Sequence, residues 1–510
     1  MSDPSADHVL PSDAPAGRPR LTAEVLLAFD ALVARRADEH RVPAVVAAIV
    51  SGGRVLHTAT GGPEGAAASS TSVYRIASMT KSFTAAAVLL LRDRGLLALD
   101  DAVAGHVPEL AGLRPPTADS PPVTIRQLLT MASGLATDDA WADRHLDDTP
   151  AALDTLFRAG GTFAHPPGTT MEYSNYGYAM LGRVIESVTG TTCSAFISEH
   201  LLAPLGMTRT VWDPARLPRE ASGDVMVGHR VEDEEVVVDR PAPLGDGGFA
   251  PMGGLWSCAD DLARWVGSFC DAFPPRDDVD PFPLRRSSRR EQQQVHRPYG
   301  APVLRHAGDG SGVLRQVGLG YAMGLQRMHH LSMGDVVAHS GGLPGFGSNM
   351  RWLPHRDIGV VALGNVTYAP MVELTHELLE LLDDLGALPE TAPSDVSPQL
   401  RDAIDALVAL VNEWDDERAA ALFADNVDLD ESLARRAATA KRVNADHGRL
   451  VVESISPLSR TEGDVSLRGE VGRLTLEVQL SPTVPPLVQW YELTSTKDEH
   501  GPGHLAAADE

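Results

Sequence analysis

The 510-residue chain is poor in cysteine and lacks long apolar segments. Its three cysteines, Cys193, Cys258 and Cys270, form neither an even disulfide framework nor the spacing of a metal site. The longest apolar runs, near 45–50 and 85–91, fall short of the ~18–20 residues that a membrane-spanning helix needs. We therefore expect a protein without disulfides, structural metal or membrane segments.

Basic charge is scarce as well. The chain has 43 Lys and Arg residues against 69 Asp and Glu residues, a formal net charge of −26. Such a surface repels nucleic acid and anionic membranes, so neither is expected as a partner. The N-terminal stretch MSDPSADHVLPSDAPAG has no basic start, no apolar core and no cleavage site of a secretory signal, which predicts a cytoplasmic protein.

The length exceeds what one hydrophobic core supports, since cores stop growing near ~250–300 residues. Composition predicts a large domain, a linker at PETAPSDVSPQ and a small α+β domain whose helices precede its strands. The predicted bounds are 1–20 for a disordered polar tail, 21–388 for the large domain, 389–399 for the linker, 400–496 for the small domain and 497–510 for a polar tail. Residues 271–312 are predicted to be an irregular insertion, in which RRSSRREQQQ forms a solvated surface helix or, alternatively, a basic docking patch.

Within the large domain, strand patterns lie at both ends and helical patterns lie between them. VPAVVAAIV, the turn SGG and RVLHTAT predict a β-hairpin, and short strands separated by turn residues return between 318 and 366. Residues 78–94 predict a helix that is apolar nearly all round, hence buried, and closed by Gly95. This order favours one antiparallel sheet built from both chain ends, flanked by helices, with a helical subdomain inserted.

The sharpest local feature is Ser78-Met79-Thr80-Lys81. Residues three apart share a helix face, so the Lys81 amine can reach the Ser78 hydroxyl, and the first helical turn offers free N–H groups for an oxyanion. The chain has only three lysines, and arginine, which serves the ordinary surface roles, cannot act as a base. The pattern therefore predicts a serine nucleophile activated by a neutral lysine.

Two further segments are weak signals when taken alone. Tyr173-Ser174-Asn175 opens another predicted helix, where tyrosine can relay a proton and asparagine can bind a carbonyl. The alternative interpretation is helix capping. His339-Ser340-Gly341-Gly342 ends a predicted strand, and its glycines allow a ligand to approach the backbone; the alternative is a turn.

Taken in this order, the three segments resemble the motifs of the penicillin-recognising serine hydrolases: class C β-lactamase-like proteins, DD-peptidases, D-aminopeptidases and related esterases. The resemblance covers roughly residues 22–387 and includes YRIASMTK, HPPGTTMEYSNYGY and AHSGGLPGFGSNMRWLP. It implies a β-lactamase/transpeptidase-like fold. It also implies roles for the motif residues: Ser78 as the acylated nucleophile, Lys81 as general base, Tyr173 as proton relay, Asn175 and His339 as substrate-binding groups, and the N–H groups of Ser78 and Gly342, beside Gly341, as oxyanion hole.

The chain departs from the family pattern in the third motif, which is His-Ser-Gly and not Lys-Thr-Gly. A histidine is near-neutral at pH 7 and is a weaker anchor for a substrate carboxylate, so efficient β-lactamase activity is not expected. The C-terminal domain resembles the cone folds of the nuclear-transport-factor-like kind by element order alone.

These observations favour a metal-free and cofactor-free serine hydrolase acting on ester or amide carbonyls of a small-molecule or short-peptide substrate. Two alternatives stay open: an acyltransferase or peptide cyclase on the same scaffold, and a binding or sensor protein without turnover. The sequence also leaves open whether the chain forms a homo-oligomer.

Overall fold

The computed structural model describes residues 17–239, 247–299, 316–391 and 395–495. The chain divides into two compact units, Met1–Thr391 and Ala392–Glu510. Each unit has its own hydrophobic core, and each is described by itself.

The helices of the first unit lie at its two ends and, mainly, between the strands of its sheet. In chain order they are α1 (Ala23–Glu39), α2 (Thr80–Asp93), α3 (Val103–His106), α4 (Ile125–Leu129), α5 (Asp139–Ala142), α6 (Pro150–Ala159), α7 (Asn175–Thr189), α8 (Cys193–Ile197), α9 (Ala250–Gly253), α10 (Ala259–Cys270), α11 (Arg286–Gln292) and α12 (Met371–Asp384).

Strands from both ends of the first unit form its main sheet. The strands are β1 (Val45–Ser51), β2 (Arg54–Gly61), β3 (Tyr74–Arg75), β4 (His229–Glu232), β5 (Glu235–Val238), β6 (Trp256–Ser257), β7 (Arg297–Pro298), β8 (Gln316–Tyr321), β9 (Gln326–His330), β10 (Gly334–Leu343), β11 (Phe346–Leu353) and β12 (Ile358–Gly364). The main sheet is antiparallel, in the order β2-β1-β12-β11-β10-β9-β8-β7. The predicted fold class is confirmed: the first and last strands of the unit join in one sheet through the β1–β12 pair.

The sheet separates two cores because side chains alternate between its faces. On β1, Val46, Ala48 and Val50 face the large core that contains α2, α7 and α10. Val45, Ala47 and Ile49 face the smaller core beneath α1 and α12. Helix α2 lies in the large core with twelve consecutive buried residues, Thr80–Leu91, as its all-round apolar pattern predicts.

Local sequence explains two of the predicted elements, the β1–β2 hairpin and helix α7. The β1–β2 hairpin turns at Gly52 and Gly53, whose φ angles of 57° and 69° are those of a tight two-residue turn. Ser174 caps α7 by accepting a hydrogen bond from the Gly177 N–H, and Gly190 ends it at φ 72°.

The RRSSRREQQQ prediction is wrong, because the segment is neither a solvated helix nor a free basic patch. Helix α11 is packed, with Arg286 and Arg289 buried. Arg289 pairs with Asp271 and Asp280, and Gln292 donates to the Ser82 carbonyl. Within the described part of the predicted insertion, 271–299, helix α11 is therefore packed into the first unit and the segment also supplies β7, whereas 274–279 are exposed. The remainder of the predicted insertion, 300–312, lies outside the described residues.

The second unit places four helices before a four-stranded antiparallel sheet, as the sequence predicts. These are α13 (Pro398–Asn412), α14 (Asp416–Leu422), α15 (Asn426–Asp430), α16 (Leu433–His447), β13 (Val451–Pro457), β14 (Glu462–Arg468), β15 (Arg473–Leu480) and β16 (Val488–Ser495). Its strands alternate buried and exposed residues, so one face of the sheet covers the helices.

Cys193, Cys258 and Cys270 are buried, as is usual for small apolar side chains. In the ranges that the structure covers, no helix has both the length and the apolar character to cross a bilayer. The same ranges contain no group of three or more His, Cys, Asp or Glu side chains arranged for a metal ion.

Candidate active site

Ser78 lies in a tight turn that leads directly into α2. The turn is a 3₁₀ segment, Ala77–Met79, and α2 begins at the next residue. Ala77 adopts a φ of 48°, which is unfavourable for a residue with a side chain, so the surrounding packing must hold it. Part of that support comes from β11, where the Ser348 hydroxyl donates a 2.9 Å hydrogen bond to the Ile76 carbonyl.

Lys81 is fully buried, one helical turn after Ser78. Its Nζ lies 2.8 Å from Ser78 Oγ and donates to the Met252 carbonyl at 2.8 Å. Desolvation lowers the pKa of Lys81 to about 8, although the nearby carboxylates of Asp139, Asp143 and Asp138 favour the charged form. A substantial fraction of Lys81 is therefore neutral near physiological pH, and the neutral amine can accept the serine proton.

Tyr173 completes the polar contacts of Ser78. Tyr173 and Ser78 line the same cavity, the interaction with the Ser78 side chain lowers the Tyr173 pKa in part, and Lys81 Nζ lies 4.9 Å from the centre of the Tyr173 ring. Burial, followed by the charge of Asp139, raises the pKa of Tyr173 well above its usual range. The phenol is thus protonated at neutral pH and can donate a hydrogen bond.

His339 lies on β10, opposite the nucleophile turn, and is held as a neutral imidazole. Its Nδ1 donates to the Ser340 carbonyl at 2.7 Å, so Nε2 is the acceptor toward the Tyr321 hydroxyl at 3.2 Å. Burial and the charge of Lys81 lower the pKa of His339 to about 3. The ring supplies no positive charge at neutral pH.

In the described part of the chain, the second half of β10 has a free edge beside Ser78. β9 pairs with β10 only from Gly334 to Ala338, whereas β11 pairs with it as far as Leu343. A Cβ on Gly341 would lie 2.1 Å from the Ile76 carbonyl oxygen. A Cβ on Gly342 would lie 2.5 Å from the Tyr368 ring, so both glycines permit a close approach that no side chain would allow.

Asn175 does not line the cavity, whereas the family resemblance implies that it binds the substrate. It is fully buried at the start of α7, where its Nδ2 donates to Asp139 at 2.7 Å and its backbone N–H donates to Asp138. Within the described chain, Asn175 Oδ1 has no hydrogen-bond partner. Asn175 thus contacts the site through Asp139.

A cavity of about 600 Å³ opens at Ser78. Five of the seven residues predicted for the site line it: Ser78, Tyr173, His339, Gly341 and Gly342. Lys81 and Asn175 are buried and are not among the residues of its wall. The structure therefore brings segments from residues 78, 173 and 339 to one cavity.

Four residues in or beside the cavity were not predicted from the motifs: Asp139, Asp143, Tyr321 and Tyr368. Tyr368, whose φ is 52°, donates a 2.6 Å hydrogen bond to Asp143, and both residues line the cavity. Desolvation raises the pKa of Asp143 to about 6. The chain has only eight tyrosines, and three of them line or support this cavity. Tyrosine, like lysine, is scarce in this sequence, so the same argument that singled out Lys81 could have pointed to the tyrosines.

The region that matches known proteins contains all of the site residues described above. A model of the family described as Beta-lactamase matches residues 29–383. Protein flp of Staphylococcus aureus strain MW2 is 27% identical over 368 residues, which cover 70% of this chain and 67% of that protein. Penicillin-binding protein 4 of Amycolatopsis lactamdurans is 32% identical over 254 residues, which cover 48% of this chain and 62% of that protein.

A solved structure shares the fold. The octameric penicillin-binding protein homologue from Pyrococcus abyssi matches with a TM-score of 0.56 at 20% identity, covering 91% of this chain and 99% of that one. The family model spans most of the first unit and includes the serine–lysine turn, the middle segment and the β10 edge. The chain belongs to the Beta-lactamase family and is a serine-hydrolase type of enzyme.

Proposed function

We propose that the chain hydrolyses ester or amide carbonyls through an acyl-enzyme on Ser78, with Lys81 as general base and Tyr173 as proton relay. The observation that carries this proposal is the 2.8 Å separation between the fully buried Lys81 Nζ and the Oγ of Ser78, which lines an open cavity. A base within hydrogen-bond reach of a serine is the arrangement that nucleophilic catalysis requires.

In the first step, neutral Lys81 takes the Ser78 proton as Oγ attacks the carbonyl carbon. The charge that develops on the carbonyl oxygen is stabilised by the N–H groups of Ser78 and Gly342, at the start of the helical segment and on the free edge of β10. Collapse of the intermediate expels the leaving group, which gains a proton through Tyr173, and leaves the acyl group on Ser78.

In the second step, water attacks the acyl-enzyme. Lys81 and Tyr173 again move the proton, and Ser78 is regenerated. The same intermediate can transfer its acyl group to an amine, so product analysis with an added amine acceptor separates hydrolysis from acyl transfer.

The test is covalent labelling. The wild-type protein, a Ser78→Ala variant and a Lys81→Arg variant are incubated with a fluorophosphonate probe, and the adduct is located by mass spectrometry. We expect an adduct at Ser78 in the wild type, none in Ser78→Ala and a rate at least ~100-fold lower in Lys81→Arg, because arginine keeps its proton. A Ser82→Ala variant is the matched control, because Ser82 is a buried serine of the same helix that donates to the Met79 carbonyl. An unlabelled wild type beside a labelled reference hydrolase would contradict the proposal and favour a ligand-binding protein.

A further inference from the structure

Tyr368 has a backbone conformation that a bulky residue rarely adopts. Its φ is 52°, in the left-handed region, although its side chain is 54% exposed and lies outside the hydrophobic core. Such a conformation is unfavourable for a residue with a side chain and persists only where the surrounding structure fixes it. Core packing does not require this tyrosine, and strained residues cluster at functional sites, so the position points to a function.

Hydrogen bonds on both sides of Tyr368 fix its backbone. The Thr367 N–H donates to the His229 carbonyl at 2.8 Å, and the Thr367 hydroxyl accepts from the Gly345 N–H at 2.8 Å. The Tyr368 N–H donates to the Phe346 carbonyl at 3.2 Å. The loop after β12 is therefore bound to both β4 and β11, and these bonds hold Tyr368 in the left-handed region.

The Tyr368 side chain lies against the free edge of β10 at the Ser78 cavity. An added Cβ on Gly342 would meet the Tyr368 ring at 2.5 Å, so the ring packs directly on the Gly342 backbone. The Tyr368 hydroxyl donates a 2.6 Å hydrogen bond to Asp143, which is 6% exposed and lies just after α5. Ser78, Gly342, Tyr368 and Asp143 all line the cavity. An exposed tyrosine is thus fixed at both ends, by its backbone and by its hydroxyl.

The proposed mechanism assigns this part of the cavity to the acyl part of the substrate. The Gly342 N–H is one of the two groups proposed to bind the carbonyl oxygen. The leaving group is proposed to depart toward Tyr173, whose ring lies near Lys81 Nζ and the Tyr321 ring. Tyr368 instead contacts Gly342 and Asp143. The group that remains beside Gly342 after the leaving group departs is the acyl chain.

We infer that Tyr368 is a specificity-determining residue, whose ring on Gly342 limits the bulk that the acyl part can have next to the reacting carbonyl. The left-handed backbone directs the ring there, and the hydrogen bond to Asp143 keeps it in place. The cavity volume of about 600 Å³ accommodates a whole small substrate, so the restriction is local to the carbonyl. This inference rests on the proposed hydrolysis at Ser78, and it deepens it by naming unbranched acyl groups as the preferred class.

Three p-nitrophenyl esters with the same leaving group test the size limit: acetate, butyrate and pivalate. Butyrate extends the chain without branching, whereas pivalate places three methyl groups on the carbon next to the carbonyl. Enzyme-free hydrolysis is subtracted, and kcat/KM is compared between wild type and Tyr368→Ala, so the intrinsic reactivity of each ester cancels. The pivalate-to-acetate ratio should rise about tenfold in Tyr368→Ala, whereas the butyrate-to-acetate ratio should change less than about twofold.

Further variants separate the ring from its support and from stability. Tyr368→Phe keeps the ring but removes the bond to Asp143, so the pivalate-to-acetate ratio should rise by about threefold. Tyr368→Gly removes the ring and relieves the strained φ, so it should show the ratio of Tyr368→Ala with a higher melting temperature than that variant. Leu27→Ala, which truncates a 70% exposed side chain on α1, should keep the wild-type ratio.

The outcomes separate this inference from the proposal beneath it. A pivalate-to-acetate ratio that is unchanged or lower in Tyr368→Ala, with normal fluorophosphonate labelling of Ser78, would overturn the size limit and leave hydrolysis standing. An equal rise in Leu27→Ala would assign the effect to general loosening of the fold and would also overturn it. A wild-type ratio in Tyr368→Phe would overturn the part assigned to the Asp143 bond. Absence of turnover together with absence of labelling would overturn both proposals.

Discussion

The rate of acylation should follow the titration of Lys81. Desolvation lowers the Lys81 pKa from 10.5 to about 8. This shift corresponds to about 3 kcal/mol against the buried ammonium, at 1.36 kcal/mol per pKa unit. At pH 7 about one-tenth of the molecules then contain neutral Lys81, against about 0.03% for an ordinary lysine, a gain of about 300-fold in available base.

The titrations of the other groups of the site should not mask that of Lys81. The His339 pKa is lowered to about 3 and the Tyr173 pKa is raised well above its usual range, so neither changes charge between pH 6.5 and 9.5. Asp143 favours the charged form of Lys81, and its own pKa is raised to about 6. Replacing Asp143 by Asn therefore lowers the Lys81 pKa further and moves the midpoint of the profile to lower pH.

The assay is the second-order rate constant of fluorophosphonate labelling of Ser78 between pH 6.5 and 9.5, followed by intact-protein mass spectrometry. We expect the rate to rise about tenfold per pH unit below the midpoint and to reach a plateau above pH 8. In Asp143→Asn the midpoint should fall by roughly half a unit to one unit, whereas an exposed control, Asp119→Asn, should keep the wild-type profile. A midpoint near 10, or a rate independent of pH, would refute Lys81 as the titrating base.

Three further changes test separate parts of the structure. Tyr173→Phe removes the hydroxyl proposed to relay the proton, and kcat/KM for an ester should fall ~10²-fold with little change in melting temperature. Gly341→Ala places a Cβ 2.1 Å from the Ile76 carbonyl oxygen and should abolish Ser78 labelling, while Gly105→Ala, whose added Cβ meets no atom within 4 Å, should keep it. Arg289→Ala breaks a buried ion-pair network and should lower the free energy of unfolding by about 3 kcal/mol, measured by urea denaturation, against less than about 0.5 kcal/mol for the exposed Arg285→Ala.

Local sequence predicts the elements whose determinants are local. The β1–β2 hairpin depends on alternation and two glycines, and α2 depends on a run of apolar residues closed by Gly95. The Ser78–Lys81 pair was predictable for a related reason: the two residues are three positions apart on one helix face.

Features that depend on distant partners were not predictable in this way. Helix α11 has a basic sequence typical of a solvated surface, but Asp271, Asp278 and Asp280 neutralise its arginines and allow them to be buried. The contact of Asn175 likewise depends on a partner that is distant in the sequence. Its amide is directed to Asp139, a residue 36 positions earlier that no motif includes.

The arrangement of the site follows from how the sheet closes. Ser78 follows the hairpin at one end of the catalytic domain, whereas His339 and Gly342 lie on a strand near the other end, and the β1–β12 and β12–β11–β10 pairings bring the two ends together. The strained φ at Ala77 and the desolvated amine of Lys81 are both unfavourable by themselves. β11 supports the nucleophile turn through the bond from Ser348 to the Ile76 carbonyl, and β10 approaches the same carbonyl at Gly341. The position of the nucleophile thus depends on long-range pairing between strands from both ends of the first unit.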